Sequence, residues 1–262
     1  MRRPWRARFY FPVTPTAIAS ILAAGAATSV GALGLLVFRR PSERVLDALL
    51  GFTAGIMLAA TVFSLLVPAL ERGGLAEVLF GFALGGGTIA LLDAFVPHLH
   101  TRFLERGREL AGAEPEALRR SLLLLAAMTI HNVPEGLAVG VAFAAGGADL
   151  GVPIAIAIGI QNVPEGFAAA TPLLGSGSPS AAAALAAVTG VVEPPAAFSA
   201  LAAFGVVSVL LPAGLAFAAG AMAYVVVDEL IPESHARGYE REASLALLVG
   251  FALMTALDRA FS

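Results

Sequence analysis

Two hexapeptides carry the chemistry in this sequence: His131-Asn132-Val133-Pro134-Glu135-Gly136 and Gln161-Asn162-Val163-Pro164-Glu165-Gly166. They differ only at the first residue, and each is embedded in an apolar run. On a helix, His131 and Glu135 lie one turn apart, as do Gln161 and Glu165, so each pair projects from one face. A third acid, Glu193, stands beside Pro194 in another apolar run. A carboxylate at the centre of a bilayer costs about 3 kcal/mol or more. Arginine is missing from these three runs, so the acids must be protonated or share a cation. A divalent metal is an efficient shared partner. One cation could take His131, Glu135, Gln161 and Glu165. A second could take Asn132, Glu135, Asn162, Glu165 and Glu193, with Glu135 and Glu165 bridging the pair. Imidazole, carboxylate and amide ligands without sulfur suit zinc, iron, manganese, cobalt or cadmium better than copper(I). The ligand set leaves the choice among these metals open; the ion would be carried as substrate, and no organic cofactor is expected.

The prolines fit that chemistry. Pro134 cannot donate to the carbonyl of Ile130, Pro164 frees Ile160, and Pro194 frees Gly190. Helices opened in this way are tolerated at membrane depth where they line a polar cavity.

The elements that must position these residues are membrane helices. Of 262 residues, 58% are hydrophobic and 13% charged, against about a quarter charged in ordinary soluble domains. Too little charge remains to face water, so lipid is the natural solvent. The expectation is an all-α integral membrane protein forming a single transmembrane domain. Eight apolar spans are expected at about 15–38, 48–70, 76–97, 121–144, 151–174, 181–203, 207–230 and 243–260. The boundary near Phe204–Val206 carries no charge, and a seven-span count is the alternative. The break at 98–120 is charged and reads as a cytoplasmic loop. Arg39, Arg40, Arg44, Arg102, Arg106, Arg108, Arg119, Arg120, Arg237 and Arg241 fall after odd-numbered spans, which places those loops in the cytoplasm and both termini outside. The N-terminal Arg2, Arg3, Arg6 and Arg8 argue the other way, and the loops outvote them. The basic start reads as the approach to a first membrane helix, without a cleavable signal peptide.

Other polar groups have weaker claims. Met57 and Ser64 could line a metal path, although packing is the favoured role for a methionine in a span. Asp228, Glu229, Glu233 and His235 form an acidic cluster at the inner end of the seventh span, as a metal-release point or a solvated helix end. His98, His100 and Asp93 could hand metal on or sit at the interface. Gly85, Gly86 and Gly87 read as close-packing positions. Asn132 and Asn162 could be interhelical glue rather than ligands.

Several classes are excluded. All 16 basic residues are arginine, so no P-loop lysine exists and no ATP is expected. Cysteine is absent, which removes disulfides, thiolate sites and cysteine nucleophiles. A net charge of -3 carries no nucleic-acid signature. An intramembrane metalloenzyme is the rival class, but Asn132 breaks an HExxH pattern, and four histidines are too few for a histidine-box oxidase. A sensor without flux is the third class; no sizeable soluble region is left to carry a signal. The expectation is therefore a transporter and not an enzyme.

The two Pro-Glu-Gly motifs in adjacent spans, with His131-Asn132 before the first and Glu193-Pro194 in the next span, resemble the ZIP (Zrt/Irt-like protein) metal transporters. The Gln161 variant is similar to the prokaryotic GufA-like branch. The resemblance implies import of zinc and related divalent ions into the cytosol, across a plasma membrane such as a bacterial inner membrane. It implies a binuclear site at the residues named above, with helices 1–3 and 6–8 related as inverted repeats around helices 4 and 5. Elevator-like movement and a homodimer are further family expectations. Gln161 stands where many members have histidine, and Asn162 where close relatives can have aspartate. Both substitutions weaken the ligand set.

Overall fold

A computed structural model describes residues 13–38, 41–107, 115–171, 173–174, 178–206 and 208–261, with the backbone alone described at 95–107, 115–125, 127, 205–206, 208 and 261. The N-terminal arginines, Arg39, Arg40 and Arg108 lie outside the described residues. So do the side chains of His98, His100, Arg102, Arg106, Arg119 and Arg120.

Among the described residues the chain forms eight helical rods. These are α1 (Pro15–Gly34), α2 (Glu43–Arg72), α3 (Leu75–Gly107), α4 (Pro115–Gly146), α5 (Ala148–Ala170), α6 (Pro179–Thr189 continuing through Glu193–Val206), α7 (Leu211–Ser234) and α8 (Glu240–Phe261). All but α4 are long and apolar enough to cross a membrane over their described residues, and α4 matches them with 32 residues. Local chemistry sets several ends. Thr14, Ser42 and Ser178 accept from the backbone N–H three residues on, each capping a helix N-terminus. Pro15, Pro115 and Pro179 open helices where a missing N–H costs nothing. Gly147 (φ 59) turns the chain between α4 and α5, and Gly238 (φ 88) turns it into α8; both positions disfavour a side chain.

Boundaries move where these signals act. The break after α6 is real: α6 runs to Val206, and α7 begins at Leu211 after a 3-10 turn at Ser208–Leu210. Pro212 in the first turn of α7 marks it. α3 continues to Gly107, well into the segment expected to be loop, because nothing between Thr101 and Arg106 stops a helix. α1 ends at Gly34 and α5 at Ala170, each four residues short of expectation. α7 runs on to Ser234 through Pro232, which sits in the turn after a π-helical segment, Val226–Leu230. α2 carries the counterpart, a π segment at Ala60–Leu66 ahead of Pro68. α4 and α5 run through Pro134 and Pro164 as continuous helices. By contrast, α6 tightens into a 3-10 turn at Gly190–Val192 immediately before Glu193.

Four close pairs organise the bundle: α1 with α5, α2 with α8, α3 with α7, and α4 with α6. Each pair meets backbone to backbone at glycine. A methyl group at Gly31 would strike the carbonyl of Val163, at Gly51 that of Ala243, at Gly85 that of Phe217, and at Gly140 that of Ala197. Such approach replaces the hydrophobic drive that lipid cannot supply. Exchanging α1–α3 with α6–α8, and α4 with α5, returns the same four pairs. The apolar stretch of α5 is 72% buried, against 17% for α8. Thus α5 lies at the centre, while α8 turns Leu245, Leu248 and Val249 outward. In water that apolar surface would be a liability; in a bilayer it is the solvent-facing side.

Ion pairs secure one end of the bundle. Asp47 of α2 is fully buried and accepts from Arg237 Nη1 at 3.0 Å and from the Tyr239 backbone N–H at 3.3 Å. Arg237 also pairs with Glu233. Burial opposes its charge, yet the Asp47 and Glu233 carboxylates hold its guanidinium above the ordinary arginine value. Arg44 and Glu242 add a pair at 2.9 Å. Together these contacts tie α2, the α7–α8 turn and α8 into one block.

Candidate metal site

The residues singled out by spacing meet in the interior. His131, Asn132 and Glu135 come from α4, Gln161, Asn162 and Glu165 from α5, and Glu193 from α6. All seven are at most 3% exposed. α4 and α5 are antiparallel neighbours joined at Gly147, so their matching hexapeptides meet at one depth.

Two carboxyl groups form the heart of the site. Glu135 and Glu165 approach within hydrogen-bonding reach of one another. Gln161 Nε2 donates to Glu135 Oε1 at 2.6 Å. Neither Glu135 Oε2 nor either oxygen of Glu165 has a fixed donor among the described residues. The amide of Asn132 is buried without a hydrogen-bond partner there, and Gln161 Oε1 and Asn162 Oδ1 are equally unmatched. Each unmatched buried polar atom costs about 1–3 kcal/mol. Natural proteins rarely leave such a group of them in one place without a ligand for it. The exposed chemistry is oxygen-rich and anionic, and it suits a hard or borderline divalent cation.

The remaining expected residues divide. Glu193 faces α1 and α5: Thr28 Oγ1 donates to its Oε1 at 2.9 Å, and Asn162 Nδ2 lies 2.9 and 2.8 Å from its two oxygens. His131 Nδ1 lies 2.9 Å from Glu229 Oε2, which brings the α7 acid to the site. Among the described residues no three His, Asp or Glu side chains converge as a ready-made metal cage. Met57 is fully buried in the core. Ser64 donates to Asp258 Oδ1 at 2.8 Å. Glu233 is taken up by Arg237. His235 holds the Ile231 carbonyl through Nδ1 and lies 3.2 Å from Ser244 Oγ through Nε2. Neither Glu233 nor His235 joins Glu229 at the site.

Sequence reasoning missed Thr28, Thr53 and Asp47. Thr53 Oγ1 donates to the Gln161 carbonyl at 3.4 Å, linking α2 to the second hexapeptide. A threonine in an apolar run gives little warning, since its hydroxyl can satisfy itself on its own helix.

The chain is similar to known proteins along most of its length. Residues 115–258 match the family model described as ZIP Zinc transporter. The chain is 44% identical to zinc transporter GufA of Myxococcus xanthus, over 92% of this chain and 96% of that one. It is 43% identical to zinc transporter ZIPB of Bordetella bronchiseptica, over 90% and 78% of the two chains. It is 34% identical to zinc transporter ZIP11 of Homo sapiens, over 88% and 93%.

Proposed function

This chain belongs to the ZIP zinc transporter family, and from that premise we propose that it carries zinc through the buried site between α4, α5 and α6. It is a multi-pass membrane protein that transports divalent metal ions. The finer reading concerns how. The facing carboxyls of Glu135 and Glu165 carry it: two buried acids with unmatched oxygens repel one another until a cation or proton comes between them. Gln161, Asn162 and Asn132 supply amide oxygens beside them. His131 joins by leaving Glu229, and Glu193 by exchanging its hydrogen bonds for the metal. Two ions bridged by the glutamates are the fullest occupancy of this ligand set.

Glu229, contacted by His131, is the first station beyond the site, with Asp228 and Asp93 next to it on the path. On the positive-inside reading of the arginine-rich loops, that end faces the cytoplasm and both termini lie outside, with flux inward across a plasma membrane of bacterial inner-membrane type. A homodimer belongs to the same reading, and no bond-making chemistry does. Purified protein in liposomes should take up zinc, while Glu135→Ala and Glu165→Ala should each reduce initial uptake at least tenfold. Undiminished flux in both variants would remove the site from the pathway.

A further inference from the structure

We propose that Thr28 of α1 is a positioning residue for metal uptake, holding the Glu193 carboxylate and, through it, the Asn162 amide in register with the Glu135–Glu165 pair. The inference rests on the site assignment above and adds a fourth helix to it.

The hydrogen bonds of the threonines motivate the idea. Thr61, Thr88, Thr171 and Thr255 each donate to the carbonyl four residues back on their own helix, the usual resting place of a helical hydroxyl. Thr28 does not. Its counterpart carbonyl, Ala24 O, accepts from Asn162 Nδ2 at 3.1 Å. The displaced hydroxyl of Thr28 donates to Glu193 Oε1 instead. α1 therefore presents an acceptor and a donor one turn apart, and the Asn162–Glu193 pair docks on both.

The dock fixes the amide. One hydrogen of Asn162 Nδ2 goes to Ala24 O, and the other serves the Glu193 carboxylate. With both donors committed, Asn162 Oδ1 points elsewhere, buried and unmatched. It is thereby kept as an oxygen ligand. The surrounding backbone is built for this arrangement. A methyl group at Gly190 would come within 2.8 Å of Thr28 Cβ, and one at Gly25 within 2.8 Å of the Pro194 ring. The 3-10 turn at Gly190–Val192 delivers Glu193 into the resulting gap. Thr28 is 1% exposed and Glu193 2%, so water does not substitute for the hydroxyl.

The test is zinc uptake in proteoliposomes with Thr28→Val, which keeps the volume and removes the donor, beside Thr28→Ser, which keeps the donor. The valine variant should raise KM for zinc about tenfold with little change in the maximal rate, and serine should restore it. On a Glu193→Ala background, Thr28→Val should add nothing. Should valine prevent folding, Thr28→Cys provides a weaker donor of similar size, with KM expected between those of serine and wild type on one side and the tenfold loss on the other. A wild-type KM in the valine variant overturns the proposal. So does a serine variant as impaired as valine, or a further loss on the Glu193→Ala background. If Glu193→Ala alone transports normally, Glu193 has no place in the site and the role of Thr28 falls with it, whereas lost uptake in Glu193→Ala beside a wild-type KM in Thr28→Val removes the role of Thr28 alone.

Discussion

Replacing Glu165 by glutamine should make the protein more stable and less able to transport. Both oxygens of Glu165 lack a fixed donor, and its carboxyl faces that of Glu135, whose Oε2 is likewise unmatched. An amide at position 165 would donate to that oxygen and end the repulsion. Satisfying a buried acceptor is worth about 1–3 kcal/mol. In a chain of this length each kcal/mol moves melting by about 2–4 °C. Melting in chelator and detergent should therefore rise by about 2–12 °C for Glu165→Gln. Zinc should also raise melting, but in wild type rather than in the variant. At about 100 times its dissociation constant, a ligand adds about 2.7 kcal/mol to the protein that binds it, so wild type should gain about 5–10 °C on adding zinc. The variant has lost one of two facing anions and should gain little, with uptake down at least tenfold. The measurements are melting by intrinsic fluorescence with and without zinc, and radiolabelled zinc uptake in liposomes. A variant that melts lower than wild type in chelator, or that zinc stabilises equally, would refute the account of these two acids.

Two further expectations concern the scaffold. Asp47→Ala should cost about 2–3 kcal/mol, because it strands Arg237 and the Tyr239 amide. Asp47→Asn should cost about half of that, and melting in detergent would show a drop in the same order; equal melting of all three proteins would contradict the buried pair. Gly140→Val should drive a side chain into the Ala197 carbonyl and cost about 3 kcal/mol or more. Gly87→Ala meets open space within 4 Å and should be neutral; size-exclusion profiles of the two variants would separate them, and a monodisperse Gly140→Val protein at wild-type yield would count against the glycine contacts.

The chemistry was legible because it was local. The i, i+4 spacing of His131 with Glu135, and of Gln161 with Glu165, needs only a helix to put the partners on one face. The tight turn at Gly147 needs only the chain to fold back. Helix partnering was not legible, because α2 meets α8 and α3 meets α7 far along the chain, where single glycines decide which backbones can touch. The orientation of Glu193 was hidden for a related reason. Its partners are Thr28 on α1 and Asn162 on α5, and neither distance follows from spacing along α6. Glu233 and His235 were grouped with Glu229 by proximity in sequence. The π segment at Val226–Leu230 and the turn after Ser234 send them instead to Arg237 and Ser244. Helix ends shifted most where apolar composition continued past a stop or a polar segment held helix, as at Gly34 and Gly107.

The self-consistency of the four glycine-docked pairs under exchange of the two halves has a bearing on energetics. A molecule wired this way has no preferred top or bottom in its tightest joints. An arrangement opened at one of these joints would correspond, under the exchange, to a second opened at its counterpart. Were two such arrangements close in free energy, a modest bias would be enough to repopulate them. On the proposed function, the imbalance of ions across the bilayer would then set the direction of traffic.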